Sequence, residues 1–162
     1  MFVRIKKIQN KEYAYLVANE WTTSGSRQRV KAYLGKVHKP EKKQERSLAI
    51  DSMKDFRQIL HDAIKWELEN HGFQHNNNGV LMKDGILVHL NEGKITSKNK
   101  NTVIAINEGF MCEHTLNELK NFKASTNQEE TSKRLALSTL EAGLKLPEEA
   151  FVQLFEKVFK TE

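Results

Sequence analysis

Residues 27 to 37, RQRVKAYLGKV, alternate basic or aromatic side chains with apolar ones, and that period of two constrains the fold more than any other feature of the chain. In a strand, successive side chains point to opposite faces. Arg27, Arg29, Lys31 and Tyr33 therefore share one face, and Val30, Ala32 and Leu34 the other. Upstream, FVRIKKIQNKEYAYLVANEW holds two more alternating runs around Asn10-Lys11, a two-residue hairpin connection. Closing the first hairpin there pairs Ile8 with Tyr13, Lys6 with Tyr15 and Arg4 with Val17. A three-residue loop, Thr23-Ser24-Gly25, puts glycine where positive φ is wanted. It pairs Trp21 with Arg27, Asn19 with Arg29, Val17 with Lys31 and Tyr15 with Tyr33.

The two turns, chosen independently, sort the faces in the same way, and a one-residue slip would drive the charges of the third strand onto the apolar side. One face is predicted to carry Arg4, Lys6, Tyr13, Tyr15, Trp21, Arg27, Arg29, Lys31 and Tyr33. The other carries Val3, Ile5, Leu16, Val30 and Leu34 around Ala14, Ala18 and Ala32, small residues that let a covering helix come close. Charge is uneven in the same sense. Residues 1 to 46 hold twelve Lys and Arg against four Asp and Glu, a net of +8, whereas the remainder nets −3. A merely solvated sheet face mixes both signs of charge and has no use for exposed Tyr and Trp. Cations that neutralise phosphates and rings that stack on bases give this face a use in nucleic-acid binding.

The stretches YAYLVANEW and GSRQRVKAYLGKV resemble an N-terminal segment of some insertion-sequence transposases and of small uncharacterised archaeal proteins. Three strands followed by a helix are also similar to the DNA-binding arms of integrases, which lay a sheet in the major groove. The resemblance covers residues 2 to 37 and implies binding, not strand transfer. The roughly 125 residues that follow are too few for the usual transposase catalytic core, and no acidic triad can be placed among them from the sequence.

HKPEKKQERS, residues 38 to 47, reads as a linker. It divides the chain into a basic three-stranded unit over 1–46 and an α+β unit over 47–162, for an α+β protein in which the sheet and a helix precede a small domain of hairpin plus helices. The helix is expected from Ser47 or Asp51 to His71, with Phe56, Ile59, Leu60, Ala63, Ile64 and Leu68 at helical spacing, and is the candidate to cover the alanine-lined sheet. GVLMKDGILVHL is a hairpin with Asp84-Gly85 at its turn, and NTVIAI is a further strand. NEGKITSKNKN, with Lys94, Lys98 and Lys100, reads as a solvated loop. Helices follow at 112–122, 127–142 and 147–160, with Thr126 and Glu129 as a capping box, Gly143 as a stop and Pro147 in the first turn of the last. Phe151, Leu154, Phe155, Val158 and Phe159 form an apolar stripe on that last helix, either core or the face of a homodimer or protein partner.

No motif ties the C-terminal part to a reaction. Asn-Glu-Gly occurs at 91–93 and 107–109, each after a strand-like run, as turn chemistry or as a pair of strand-end glutamates. His61, His71 and His75 adjoin Glu67 in sequence alone, and Cys112 and His114 are too close in sequence to face each other on a helix. No metal or cofactor is therefore expected. A single cysteine forms no intrachain disulfide, no apolar run nears the ~18 residues of a membrane span, and the start MFVRIKKIQ lacks a signal-peptide core, so a cytoplasmic protein is expected. Two functions fit: a non-enzymatic nucleic-acid-binding protein, with double-stranded DNA favoured over RNA or a ribosomal partner, or a small enzyme or ligand-binding domain targeted by the basic sheet. A pocket lined by Glu92, Glu108, His89 and His114 would favour the second.

Overall fold

Alternation at the N-terminus produces three antiparallel strands, β1 (Phe2–Ile8), β2 (Lys11–Thr22) and β3 (Gly25–His38), in the computed structural model, which describes residues 1–160. The fold is α+β. Next come α1 (Phe56–Asn70), β4 (Gln74–His75), β5 (Leu81–Lys83), β6 (Ile86–His89), β7 (Lys94–Ser97), β8 (Lys100–Ile106) and β9 (Gly109–Met111). Three helices finish the described chain: α2 (Glu113–Lys120), α3 (Gln128–Glu141) and α4 (Glu148–Val158).

All the strands belong to one sheet in the order β1-β2-β3-β8-β7-β6-β5-β4. The join between its halves is the parallel pair β3 and β8, which aligns Lys36 with Thr102, Val37 with Val103 and His38 with Ile104. Gly35 permits this approach. A Cβ there would lie 2.3 Å from the backbone oxygen of Asn101, and its φ of +134° is one that side-chain-bearing residues avoid. Ile104 also pairs with Met111, so β9 occupies the other edge of β8, beyond the end of β7.

Asp84-Gly85 turns β5 into β6 as expected, both residues having positive φ. Lys98-Asn99, also with positive φ at both residues, makes a second tight turn. The segment read as a solvated loop is thus the hairpin β7–β8. Its alternation is short and its lysines mask it, but Ile95 points into the core.

Helix α1 starts later than its periodicity suggests. Asp55 caps it, accepting from the Gln58 amide while the Gln58 side chain accepts from the Asp55 N–H. Residues 39–55 form no helix. They run back along α1, held by the Lys43 and Gln44 amides on the Asn70 carbonyl and by Trp66 Nε1 on the Arg46 carbonyl. Nor does α1 cover the N-terminal sheet. Phe56, Ile59, Leu60, Ile64 and Leu68 pack instead with Leu81, Val88, Ile95 and Ile104 of the C-terminal strands and with Leu154 of α4. Only the Ala14 end of the alanine-lined face is closed, and by nearer material: Ala14 and Val37, with Val3, Ile5 and Leu34, pack against Val103, Phe110 and Cys112, whereas Ala32 is exposed.

The three C-terminal helices fall where expected, with one cap changed. Asn127, not Thr126, caps α3 by accepting from the Glu130 amide. On α4, Leu154 and Val158 are buried and Phe151 and Phe155 pack on the same cluster, so most of the apolar stripe is core. Among the described residues no helix is long and apolar enough to cross a membrane.

Candidate nucleic-acid interface

The first turn is Gln9-Asn10, both at positive φ, and it pairs Ile8 with Lys11, Lys6 with Tyr13 and Arg4 with Tyr15. This differs by two residues from the expected pairing. A shift of two preserves which face each side chain occupies, so Arg4, Lys6, Tyr13 and Tyr15 do share a face. The second hairpin closes through Thr23-Ser24, pairing Thr22 with Gly25 and Trp21 with Ser26.

Strand β3 departs further, because it carries two irregularities against β2. Tyr15 faces Tyr33 and Leu16 faces Ala32, but Val17 then faces Val30, leaving Lys31 as an extra residue. Between Ala14–Gly35 and Tyr15–Tyr33, Leu34 is extra in the same way. Each extra residue inverts the alternation of everything beyond it. Past Lys31, therefore, Arg29 pairs with Ala18 and Arg27 with Glu20, on the face opposite the tyrosines.

The nine expected residues thus divide into two groups. On the first face, Tyr33 has its ring centroid 5.2 Å from Tyr15 and 6.4 Å from Tyr13, and Lys6 Nζ stands 5.6 Å from the Tyr15 ring centre. Burial, and then the neighbouring Tyr15 and Tyr13, push the Tyr33 hydroxyl above the ordinary tyrosine pKa. Lys36, paired with Tyr13, joins this face and was not foreseen. Arg4 Nη1 donates to Gln28 Oε1 at 2.5 Å across the row that holds Val17, and Val17 is only 1% exposed.

On the second face, Arg29 and Lys31 converge on Glu20, at 3.3 and 2.7 Å. The Lys31 hydrogen bond above all, helped by that of Arg29, holds the Glu20 carboxyl below the usual carboxylate range. The tyrosine side carries no acid, since Glu12 and Glu20 have the other parity, whereas the second face mixes both signs of charge.

Trp21 belongs by parity to the tyrosine face but lies six residues from Tyr15 along β2, roughly 20 Å away. It is 86% exposed. Beyond the Phe2–Val17 pair, β1 has ended and β2 and β3 continue as a two-stranded ribbon. Every residue from Ser26 to Tyr33 is exposed, whichever face it is on. Val30, expected to be covered, is 56% exposed. The ribbon therefore stands clear of the body on both faces.

Comparison with protein-family models, curated proteins and solved structures gives no match.

The other sites considered in the sequence do not assemble into one. Glu108 and His114 line a cleft beside Met1, Phe2 and Val3, whereas neither Glu92 nor His89 reaches it. Asn91-Glu92-Gly93 and Asn107-Glu108-Gly109 are turns, with Gly93 and Asn107 at positive φ. His71 is buried with its Nδ1 3.4 Å from Glu67 Oε1, while His75 is exposed. Cys112 is buried at the start of α2, its amide accepted by Thr115 Oγ1. Among the described residues no three His, Cys, Asp or Glu side chains are grouped for a metal ion.

Proposed function

We propose that this chain binds nucleic acid, double-stranded DNA by preference, through the β2–β3 ribbon, and performs no chemistry on it. The observation that carries this reading is the ribbon itself: two strands running past the end of β1, with β3 exposed at every residue from Ser26 to Tyr33 and Arg27, Arg29 and Lys31 against the single acid Glu20. The major groove admits a two-stranded β-ribbon. Inserted there, cations on one face meet phosphates or base edges, and Asn19 and Gln28 offer amides from the other. Lys6 and Lys36, at the base of the ribbon, lie where flanking phosphates would pass.

The tyrosine group supports a second reading. Three rings, with Tyr33 lying 5.2 Å from Tyr15 and 6.4 Å from Tyr13, beside Lys6, are a stacking surface suited to unpaired bases, hence to single-stranded DNA or RNA.

Titrating Tyr15→Ala and Arg29→Ala against a duplex and a single strand of the same sequence separates the two. For a duplex in the ribbon, Arg29→Ala costs about 1–3 kcal/mol and Tyr15→Ala much less; for a stacked single strand the order reverses. The wild-type log-log salt slope is expected to be about −3 to −5. Small and equal effects of both changes on both ligands, or an affinity indifferent to salt, would refute nucleic-acid binding by this sheet.

A further inference from the structure

Helix α1 presents Arg57, Leu60, His61 and Ile64 at helical spacing to the turn after β6 and to α2. Between these elements lies a cavity of about 250 Å³. Leu60, Ile64, Leu90 and Leu116 line it, all buried. Its remaining walls include Arg57, which is exposed, and the half-buried Lys120. No carboxylate lines it.

The two cations are unequal in a useful way. Lys120 Nζ donates to the Asn91 carbonyl at 2.9 Å, which fixes the ammonium at the cavity and leaves two of its three protons uncommitted by that bond. Arg57 has no acid partner among the described residues, and its five donors suit a planar acceptor. The same Arg57 and Lys120 also border a neighbouring cleft lined by Lys123, so three cations gather at two adjoining clefts, neither of which is lined by a carboxylate among the described residues. An apolar chamber with a cationic opening is the usual form of a small-ligand site: greasy walls for affinity, a few polar groups for orientation. At about 250 Å³ it is just below the range of drug-sized pockets.

We infer that this cavity is a binding site for a small amphipathic carboxylate, its apolar body among Leu60, Ile64, Leu90 and Leu116 and its carboxylate between Arg57 and Lys120. The carboxylate takes the guanidinium fork in bidentate fashion and one proton of Lys120. Nothing in this assignment depends on what the ribbon binds.

The test uses the full chain with methyl-labelled Leu and Ile, titrated with octanoate, with octanol as the same body without charge, and with inorganic phosphate as charge without body. Octanoate is expected to bind saturably with shifts centred on Leu60, Ile64 and Leu116. Octanol should bind at least about 10-fold more weakly, and phosphate should leave these methyls unmoved. Arg57→Gln and Lys120→Gln, both changes at surface-reaching side chains, should each weaken octanoate about 3- to 10-fold. Leu116→Phe, which fills the cavity, should abolish the shifts; a thermal melt and the remaining methyl spectrum of the same variant report whether it is folded. Octanoate and octanol binding equally, or octanoate moving none of these methyls in the folded wild type, would overturn the assignment.

Discussion

Glu20 is the residue on which the charge of the ribbon turns. It is the one carboxylate among the exposed cations of β3, and Arg29 and Lys31 both spend a donor on it. A phosphate approaching either cation must compete with Glu20, so the acid lowers affinity while holding the two long side chains in place. Glu20→Gln removes the charge with little change of shape. Nucleic-acid affinity is expected to rise about 3- to 10-fold, and the salt slope to steepen by about one, when wild type and variant are titrated over the same salt series. Unchanged or weaker binding would mean that Arg29 and Lys31 do not meet the ligand. Glu20 was legible as an acid, but its role was not. Strict alternation puts Arg29 and Lys31 on the face opposite Glu20, and only the extra residue at Lys31 returns them to it.

At the scale of elements, parity was readable wherever a strand was regular and failed where it was not. Strands β1 and β2 have the faces their alternation predicts, and even the wrong hairpin register there, two residues off, left every side chain on its expected face. Strand β3 alternates just as cleanly in sequence, yet accommodates two extra residues, Lys31 and Leu34, neither of which has a composition that marks a bulge. Beyond Val17 and Val30 the ribbon has no third strand beside it, and apart from the exposed Arg4–Gln28 hydrogen bond it is supported by its own cross-strand pairs. It should therefore be removable. Replacing residues 18–29 by Asn-Gly joins the Cα partners Val17 and Val30 through a tight turn. Calorimetry is expected to find the melting temperature within a few degrees of wild type, and a mobility-shift titration to find duplex binding lost. A shortened protein that still binds would move the interface to the tyrosine face at the ribbon's base. Gly35 supplies the opposite case, an element junction with no tolerance. Gly35→Ala would drive a methyl into the backbone of Asn101 and Thr102, and a loss of about 3 kcal/mol or more is expected by chemical denaturation.

For the molecule as a whole, the C-terminal body was legible as a set of elements but not as an arrangement. Helical periodicity found α1 to α4, and turn chemistry found β5–β6, because each signal is local. What the helices cover is decided by contacts far apart in sequence, and so α1 was assigned to the wrong sheet face. The clearest of those contacts is polar. Glu67, buried within α1, accepts the Lys145 amide on Oε2 at 3.0 Å, tying the helix to the segment between α3 and α4. In sequence it is one more acid on a helix. Its Oε1 faces Nδ1 of His71, also buried, one turn on. Glu67→Ala would leave the Lys145 N–H without its acceptor and open space in the core where the buried Glu67 side chain lies, and is expected to cost about 2–4 kcal/mol. For a chain of this length that is roughly 5–15 °C in melting temperature. Glu67→Gln keeps an oxygen for the Lys145 amide, so it should retain most of that stability. If the amide bond is what joins the two segments, hydrogen exchange at Lys145 will accelerate strongly in the alanine variant and only slightly in the glutamine one. Equal exchange in both would mean that apolar packing alone holds α1 against the α3–α4 segment.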